Sequence, residues 1–266
     1  MEPEIALKTA IEVGRIRRSC RLAQATLRAL GPLVRAGVTT RDLDRAAERF
    51  IRDGGGEPAL KGYRGFPASI CASTNNVCAH GIPGDLALEE GDVIGIDVTV
   101  LLDGWHGDAA WTFVVGRGSD DARRVVRAAW RSCLAGLVSV KPGGRLGDVG
   151  AAISRTAERL GCSVIRDYVG HGIGRSMHEE PRVVNFGRQG QGMRIVPGMV
   201  FTVEPMVSLG GSDVKVMDDG WTVVTADGSL SAQFEHTVAV YREGIEILTL
   251  SDTKLRDYLD EPPHFQ

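Results

Sequence analysis

The 266-residue sequence has no run of 18 consecutive apolar residues, which excludes a helix built to cross a bilayer. Its first residues, Met1-Glu2-Pro3-Glu4, lack the basic start and apolar stretch of a secretory leader, so a cytoplasmic location is expected. Net charge is scarce. Lys and Arg number 31 against 34 Asp and Glu, leaving −3 and no bulk field to recruit an anionic partner. No specific nucleic acid and no membrane partner are therefore expected. The five cysteines show neither C-x-x-C nor zinc-ribbon spacing, so they read as reduced, unpaired thiols. With 43% hydrophobic and 24% charged residues the composition is ordinary for a globular chain, which excludes a disordered, collagenous or coiled-coil protein. At about 150 residues per domain the length corresponds to about 1.8 domains, a value between one and two.

Helical periodicity covers residues 4–30, with Ile16, Cys20, Ala23, Leu27 and Leu30 on one stripe. A second helix carries Leu43, Ala47, Phe50 and Ile51 on its apolar face and stops at Gly54-Gly55-Gly56. Residues 93–102 are β-branched and apolar, Asp103-Gly104 signals a two-residue hairpin turn, and the return strand is expected over about 106–115. Helices follow at 120–139 and 146–160, and strands near 199–208, 213–225 and 232–242. Two helices and then strands thus occur twice. A shift of 106 positions lays Gly37, Asp42, Leu43 and Ala46 on Gly143, Asp148, Val149 and Ala152. A shift of 107 lays Gly91, Val93, Ile96 and Val100 on Gly198, Val200, Val203 and Val207, and Asp97 on Glu204. The segment around Asp108 resembles the segment around Glu235, so each half carries two carboxylates at matching places.

Asp97 and Glu204 interrupt apolar strands. A solvent-facing acid is the ordinary explanation, but an acid flanked by apolar residues on both sides calls for a positive partner, because burying it unpaired costs several kcal/mol or shifts its pKa. With Asp103-Gly104 as the loop, Leu102 pairs with Trp105 and Thr99 with Asp108, which sets Asp97 diagonal to Asp108 at about 7–8 Å on one face. Four converging acids would match two divalent cations. The segment Gly170-His171-Gly-Ile-Gly-Arg-Ser-Met-His178 lets backbone approach closely but has no zinc-finger spacing and no P-loop Lys-Ser/Thr. Each histidine alone fits a structural role as well as a ligand. His80 could be a turn residue. His106, His236 and His264 read as a hairpin-mouth residue, a residue behind the site or at the surface, and a tail residue.

Together these segments resemble the type I methionine aminopeptidases, over residues 4 to 250. The motifs that carry the resemblance, in order, are Tyr63-Arg-Gly-Phe-Pro-Ala-Ser-Ile-Cys71, His80-Gly-Ile-Pro83, Ile96-Asp97-Val-Thr-Val100, Gly107-Asp108, Gly170-His171-Gly-Ile-Gly174, His178-Glu-Glu-Pro181, Thr202-Val-Glu204-Pro205, Asp219-Gly-Trp221-Thr and Ser231-Ala-Gln-Phe-Glu235-His236-Thr237. The resemblance implies an α+β pita-bread fold, two pseudo-symmetric αβ halves around a curved antiparallel sheet. A single catalytic domain over 1–266 is expected, with halves about 4–116 and 120–250. It implies a dinuclear metal site: Asp97 on one ion, His171 and Glu204 on the other, Asp108 and Glu235 bridging. Such ligands suit Mn(II), Fe(II), Co(II) or Zn(II). It further implies Glu204 as general base, His178 as donor to the scissile carbonyl, and His80 near the scissile amide nitrogen.

By the same resemblance, Tyr63, Phe66, Cys71, Met177 and Trp221 line the slot for the methionine side chain, with His80 and His178 also touching substrate. Three positions depart from common family patterns: Leu60 where a Cys often lies, Met177 where Phe is frequent, and Phe66 for a frequent Tyr. All stay apolar, so pocket shape rather than activity is altered. The expected substrates are peptides and nascent chains beginning with Met and carrying a small second residue. The chain is expected to act as a monomer, and any ribosome contact must use the catalytic body. Two rivals stand beside this expectation. Xaa-Pro peptidases usually carry an extra domain, for which the roughly 90 residues before Asp97 leave no room. A non-catalytic relative should lack a metal ligand, and all five are present.

Overall fold

The computed structural model describes residues 4–250, so His264 lies outside the described residues. Helix α1 (Ala10–Leu30) starts later than the apolar periodicity predicts. The Thr9 hydroxyl accepts from the Glu12 N–H, and the Glu12 carboxylate reaches back to the Thr9 N–H at 2.8 Å. That reciprocal cap satisfies two N–H groups the helix would otherwise orphan, and residues 4–9 stay outside it. The predicted stripe, Ile16 to Leu30, is fully buried. Helix α2 (Thr40–Asp53) is capped by Thr39 and Asp42 in the same way. It buries Leu43, Ala47 and Ile51, four residues apart, while Phe50 falls at the edge of that stripe and is 38% exposed, contrary to expectation.

Short strands β1 (Glu57–Pro58), β2 (Cys71–Thr74) and β3 (Val77–Ala79) precede a long hairpin, β4 (Val93–Leu102) and β5 (Trp105–Val114). Asp103 and Gly104 both take positive φ, 51° and 75°, as a two-residue turn matched to strand twist requires. The turn fixes the register: Leu102 faces Trp105, Thr99 faces Asp108 and Asp97 faces Ala110.

The second half begins with α3 (Asp120–Ser139) and α4 (Leu146–Arg159). Strands β6 (Ser163–Val164), β7 (Gly170–Gly172), β8 (Glu179–Val183), β9 (Val200–Val203), β10 (Met206–Ser208), β11 (Val214–Val216), β12 (Val223–Thr225), β13 (Ser231–Gln233), β14 (Glu235–Val240) and β15 (Ile245–Ile247) follow. Each of the three long strands expected here is in fact two. Pro205 has no N–H to continue a ladder, and the chain leaves one sheet for another there. The 213–225 stretch folds back on itself, with the Met217 N–H bonded to the Thr222 carbonyl. At Phe234 the chain again changes sheets, from β13 to β14.

The main sheet runs β1-β4-β5-β14-β9-β7-β8, with β2 also on β4 and β15 also on β14, every pair antiparallel. Two three-stranded sheets, β13-β10-β6 and β11-β12-β3, flank it. Helix α1 lies against β4 and β5 and beside α2; α3 lies against β13 and β10 and beside α4. Matching positions of the two halves share their backbone geometry. Gly37 and Gly143 have φ of 85° and 83° and donate to the carbonyls of Leu88 and Ile195. Gly91 and Gly198 have φ of 94° and 93° and donate to Val115 and Val240. A side chain at these φ values is strained, which explains why glycine recurs at the same shift. The fold is α+β, two similar αβ halves around one antiparallel sheet. No helix among the described residues is long and apolar enough to cross a membrane.

Candidate metal centre

Five neighbouring strands each deliver one candidate ligand. Asp97 lies in β4, Asp108 in β5, Glu235 opens β14, Glu204 directly follows β9, and His171 is the middle residue of β7. Glu235 faces Ala110, so it stands diagonal to Asp108 across the β5–β14 pair. The hairpin register does the same for Asp97 and Asp108. Glu204 and Glu235 both stand beside the points where the chain changes sheets. Asp108, His171 and Glu235 offer atoms that all lie within 4.8 Å of one another. His171 Nε2 is 3.5 Å from Glu204 Oε1 and 3.9 Å from Asp108 Oδ2. Asp97 and Glu204 line the same cavity but stand outside that group of three.

Three of the five candidate ligands are held by a neighbour. Thr99 donates to Asp108 at 3.0 Å, and Thr202 donates to Glu204 at 2.6 Å while accepting from the His171 N–H at 2.9 Å. The His171 Nδ1 lies 3.0 Å from the Gly172 carbonyl, which can only accept. Nδ1 therefore carries the proton and Nε2 keeps its lone pair toward the acids. Burial pulls this imidazole down to about 4, so it stays neutral. Burial drives all four carboxyls up. The charges of Asp97 and Glu204 add to the rise at Asp108, and those of Asp108, Glu204 and Asp97 to the rise at Glu235. The Thr99 and Thr202 hydroxyls oppose it.

These residues fit a divalent cation. Asp97 Oδ1 and Glu235 Oε1 are buried with no hydrogen-bond donor among the described residues. Ionised, both can only accept, and such oxygens are costly to bury without a donor or a cation. A bare imidazole nitrogen at the same place completes an oxygen-and-nitrogen donor set suited to a first-row divalent metal.

The cavity above the acids, about 660 Å³, takes in every other predicted residue. Phe66 and Cys71 are buried in one apolar cluster against which Leu60, Ile82 and Trp221 pack. The Phe66 and Trp221 rings meet edge to face at 5.1 Å. Met177 is buried and also lines the cavity. Cys71 faces Asp97 across the β2–β4 pair, and burial holds its thiol well above the ordinary value, so it lines the pocket as a neutral thiol. His80 sits at φ 53° between the rings of Tyr168 and Trp221. His178 stands at the rim, its ring 4.3 Å from that of His171 and its Nδ1 2.8 Å from the Tyr63 hydroxyl.

His106 is at the hairpin mouth as expected, near the Gly174 carbonyl. His236 is fully buried behind the site, within 2.8 Å of the Thr249 hydroxyl, and is not at the surface. Sequence reasoning missed Thr202, Tyr168 and Asp44. Thr202 is two residues from Glu204, the same-face spacing of a strand, and could have been found. Tyr168 gives no such signal. Asp44 Oδ1 accepts the Ser69 and Ile70 N–H groups, and Glu48 accepts from Ser69 and Lys61, so helix α2 fastens the loop that carries Tyr63 and Phe66.

Comparison with known proteins adds an independent line. Residues 14–242 match the model of metallopeptidase family M24. The chain is 47% identical to methionine aminopeptidase A of Synechocystis over 253 residues, covering 95% of this chain and all of that one. It superposes on the crystal structure of methionine aminopeptidase from Rickettsia prowazekii with a TM-score of 0.91 at 44% identity, covering 93% of this chain and 100% of that one. A prolidase from Pyrococcus furiosus shares the fold only, at TM-score 0.74 and 22% identity, with 93% of this chain and 66% of that one covered.

Proposed function

The chain belongs to metallopeptidase family M24, and from that premise we propose that it removes the N-terminal methionine from peptides and nascent proteins whose second residue is small. The observation that carries this is the apolar slot of Leu60, Phe66, Cys71, Met177 and Trp221 opening beside a donor set that uses a divalent metal. Asp97, Asp108, His171, Glu204 and Glu235 would hold two ions of Mn, Fe, Co or Zn. When bound, the metal supplies Lewis acidity and a water of lowered pKa.

The remaining work falls to side chains. The slot would seat the methionine side chain and so fix which peptide bond lies over the carboxylates. Glu204 would take the proton from the attacking water and return it to the leaving amine; its Oε1 is engaged by Thr202, and its other oxygen has no partner among the described residues. His178 would donate to the scissile carbonyl oxygen as negative charge builds there. His80, held between two rings, would contact the scissile amide nitrogen. All five ligands come from one chain, so a monomer would suffice as the catalytic unit, and the two halves would form a single catalytic domain.

The test compares Met-Ala-Ser, Met-Leu-Ser and Ala-Pro-Ala with Mn(II) or Co(II). Methionine release from Met-Ala-Ser alone is expected. Cleavage of Ala-Pro-Ala would favour an Xaa-Pro peptidase, equal rates on the two Met peptides would remove the small-residue preference, and no release under either metal would remove the catalytic role.

A further inference from the structure

His171 and His178 stand ring against ring, centroids 4.3 Å apart, yet face opposite chemical requirements. His171 needs a bare Nε2. Its Nδ1–H bond to the Gly172 carbonyl provides one. His178 must present a proton to a carbonyl oxygen, whose lone pairs would repel a bare nitrogen. A neutral imidazole has one donor and one acceptor nitrogen, and the partner of one decides the role of the other. The partner of His178 Nδ1 is the Tyr63 hydroxyl at 2.8 Å, 115 positions away in sequence. That is the one hydrogen bond of the Tyr63 hydroxyl among the described residues, and His178 Nε2 has none.

We infer that Tyr63 is a positioning residue as well as a wall of the pocket: its O–H donates to His178 Nδ1 and thereby keeps the proton of His178 on Nε2, facing the substrate. The opposite arrangement, Nδ1–H donating to the phenol oxygen, leaves the phenol proton without a protein acceptor and turns a lone pair toward the scissile carbonyl. Arg64 lies over the Tyr63 ring with its guanidinium carbon 5.3 Å from the centroid. A cation on the ring face draws electron density from the phenol and strengthens it as a donor. The loop geometry holds the hydroxyl in place. Phe66 N–H bonds to the Tyr63 carbonyl at 2.9 Å, Gly62 N–H bonds back to Phe66 at 2.8 Å, and Asp44 pins the loop's far end. Neighbouring histidines are thus set to opposite tautomers, one by a carbonyl that only accepts and one by a phenol that donates.

The catalytic consequence rests on the aminopeptidase function proposed above; the tautomer itself does not. The test is ring-nitrogen NMR on the full chain, metal-free and labelled with 15N-histidine, with His178→Ala to assign the signals. Wild-type His178 should show a protonated Nε2 and an Nδ1 shifted by hydrogen bonding. Tyr63→Phe should remove that shift and admit the Nδ1–H tautomer. A protonated Nδ1 in the wild type, or an Nδ1 signal unmoved by Tyr63→Phe, would overturn the inference. With Met-Ala-Ser, Tyr63→Phe keeps the ring that lines the slot, so KM should stay within about twofold while kcat falls about tenfold, a modest share of what a positioned proton donor contributes. In a His178→Ala background the same change should cost nothing further. An unchanged kcat, or the same proportional loss in both backgrounds, would overturn the positioning role. A wild type that releases no methionine would defeat the functional reading while the NMR result still decides the tautomer.

Discussion

Thr202 is the residue on which most of the site's geometry converges. Its one hydroxyl donates to Glu204 and accepts from the His171 backbone, so it orients two candidate ligands carried by or beside adjacent strands. Groups that orient ligands in this way are worth about 10–100-fold in metal affinity or activity. Thr202→Val keeps the β-branched shape and removes the hydroxyl; it should weaken Mn(II) binding by at least about tenfold in calorimetry, with the fold unchanged by circular dichroism. Binding at wild-type affinity would mean that the neighbours hold Glu204 unaided. In the sequence the candidate ligands stand out more than a helper such as Thr202, which only its spacing from Glu204 could have marked, and the reason is physical. A carboxylate inside an apolar strand violates the strand's pattern, as Asp97 and Glu204 do, whereas a threonine in a strand obeys it. The Tyr63–His178 contact was invisible for another reason: only the folded chain brings those positions together.

Among the elements, the β4–β5 hairpin was the most readable. A two-residue turn with both φ values positive admits one register, so Asp103-Gly104 alone fixed Thr99 opposite Asp108. Periodicity was a poorer guide to ends. It ran through residues 4–9, where the Thr9–Glu12 cap starts α1 instead, and through Glu204 and Phe234, where strands change sheets. Helix α2 carries an unforeseen task, fastening the pocket loop through Asp44. Burial pushes the Asp44 carboxyl up, while the two N–H groups it accepts push it back down. Asp44→Ala strands those N–H groups and should cost about 2 kcal/mol in urea melts. It should also raise KM for Met-Ala-Ser, because the loop bears Tyr63 and Phe66. Asp44→Asn retains an acceptor and should recover most of both. A wild-type KM in the alanine variant would show that the loop is held from elsewhere.

At the scale of the whole molecule, the length suited to about 1.8 domains is explained by two halves that share one sheet. Two acids come from each half, on or directly beside neighbouring strands of that sheet, and all four line one cavity. That gathering has a pH signature. Burial raises the folded-state pKa of all four, and neighbouring charge adds to the rise at Asp108, Glu204 and Glu235, so the metal-free native state binds more protons than the unfolded chain. Stability then falls as pH rises from the ordinary carboxylate range through the raised values. Chelated protein should therefore melt at a lower temperature at pH 8 than at pH 5.5, and Mn(II) should abolish most of that difference by supplying the missing positive charge. A melting temperature that rises over this interval without metal would contradict a raised pKa at these four carboxyls.

The most direct test of the central claim, that five strands converge on a metal-dependent peptidase site, is methionine release from Met-Ala-Ser by chelator-stripped protein titrated with Mn(II). Turnover should be absent without metal, return as Mn(II) is added, and stay absent in Glu235→Ala at every concentration. Turnover by the stripped protein, or by Glu235→Ala at the wild-type rate, would contradict it.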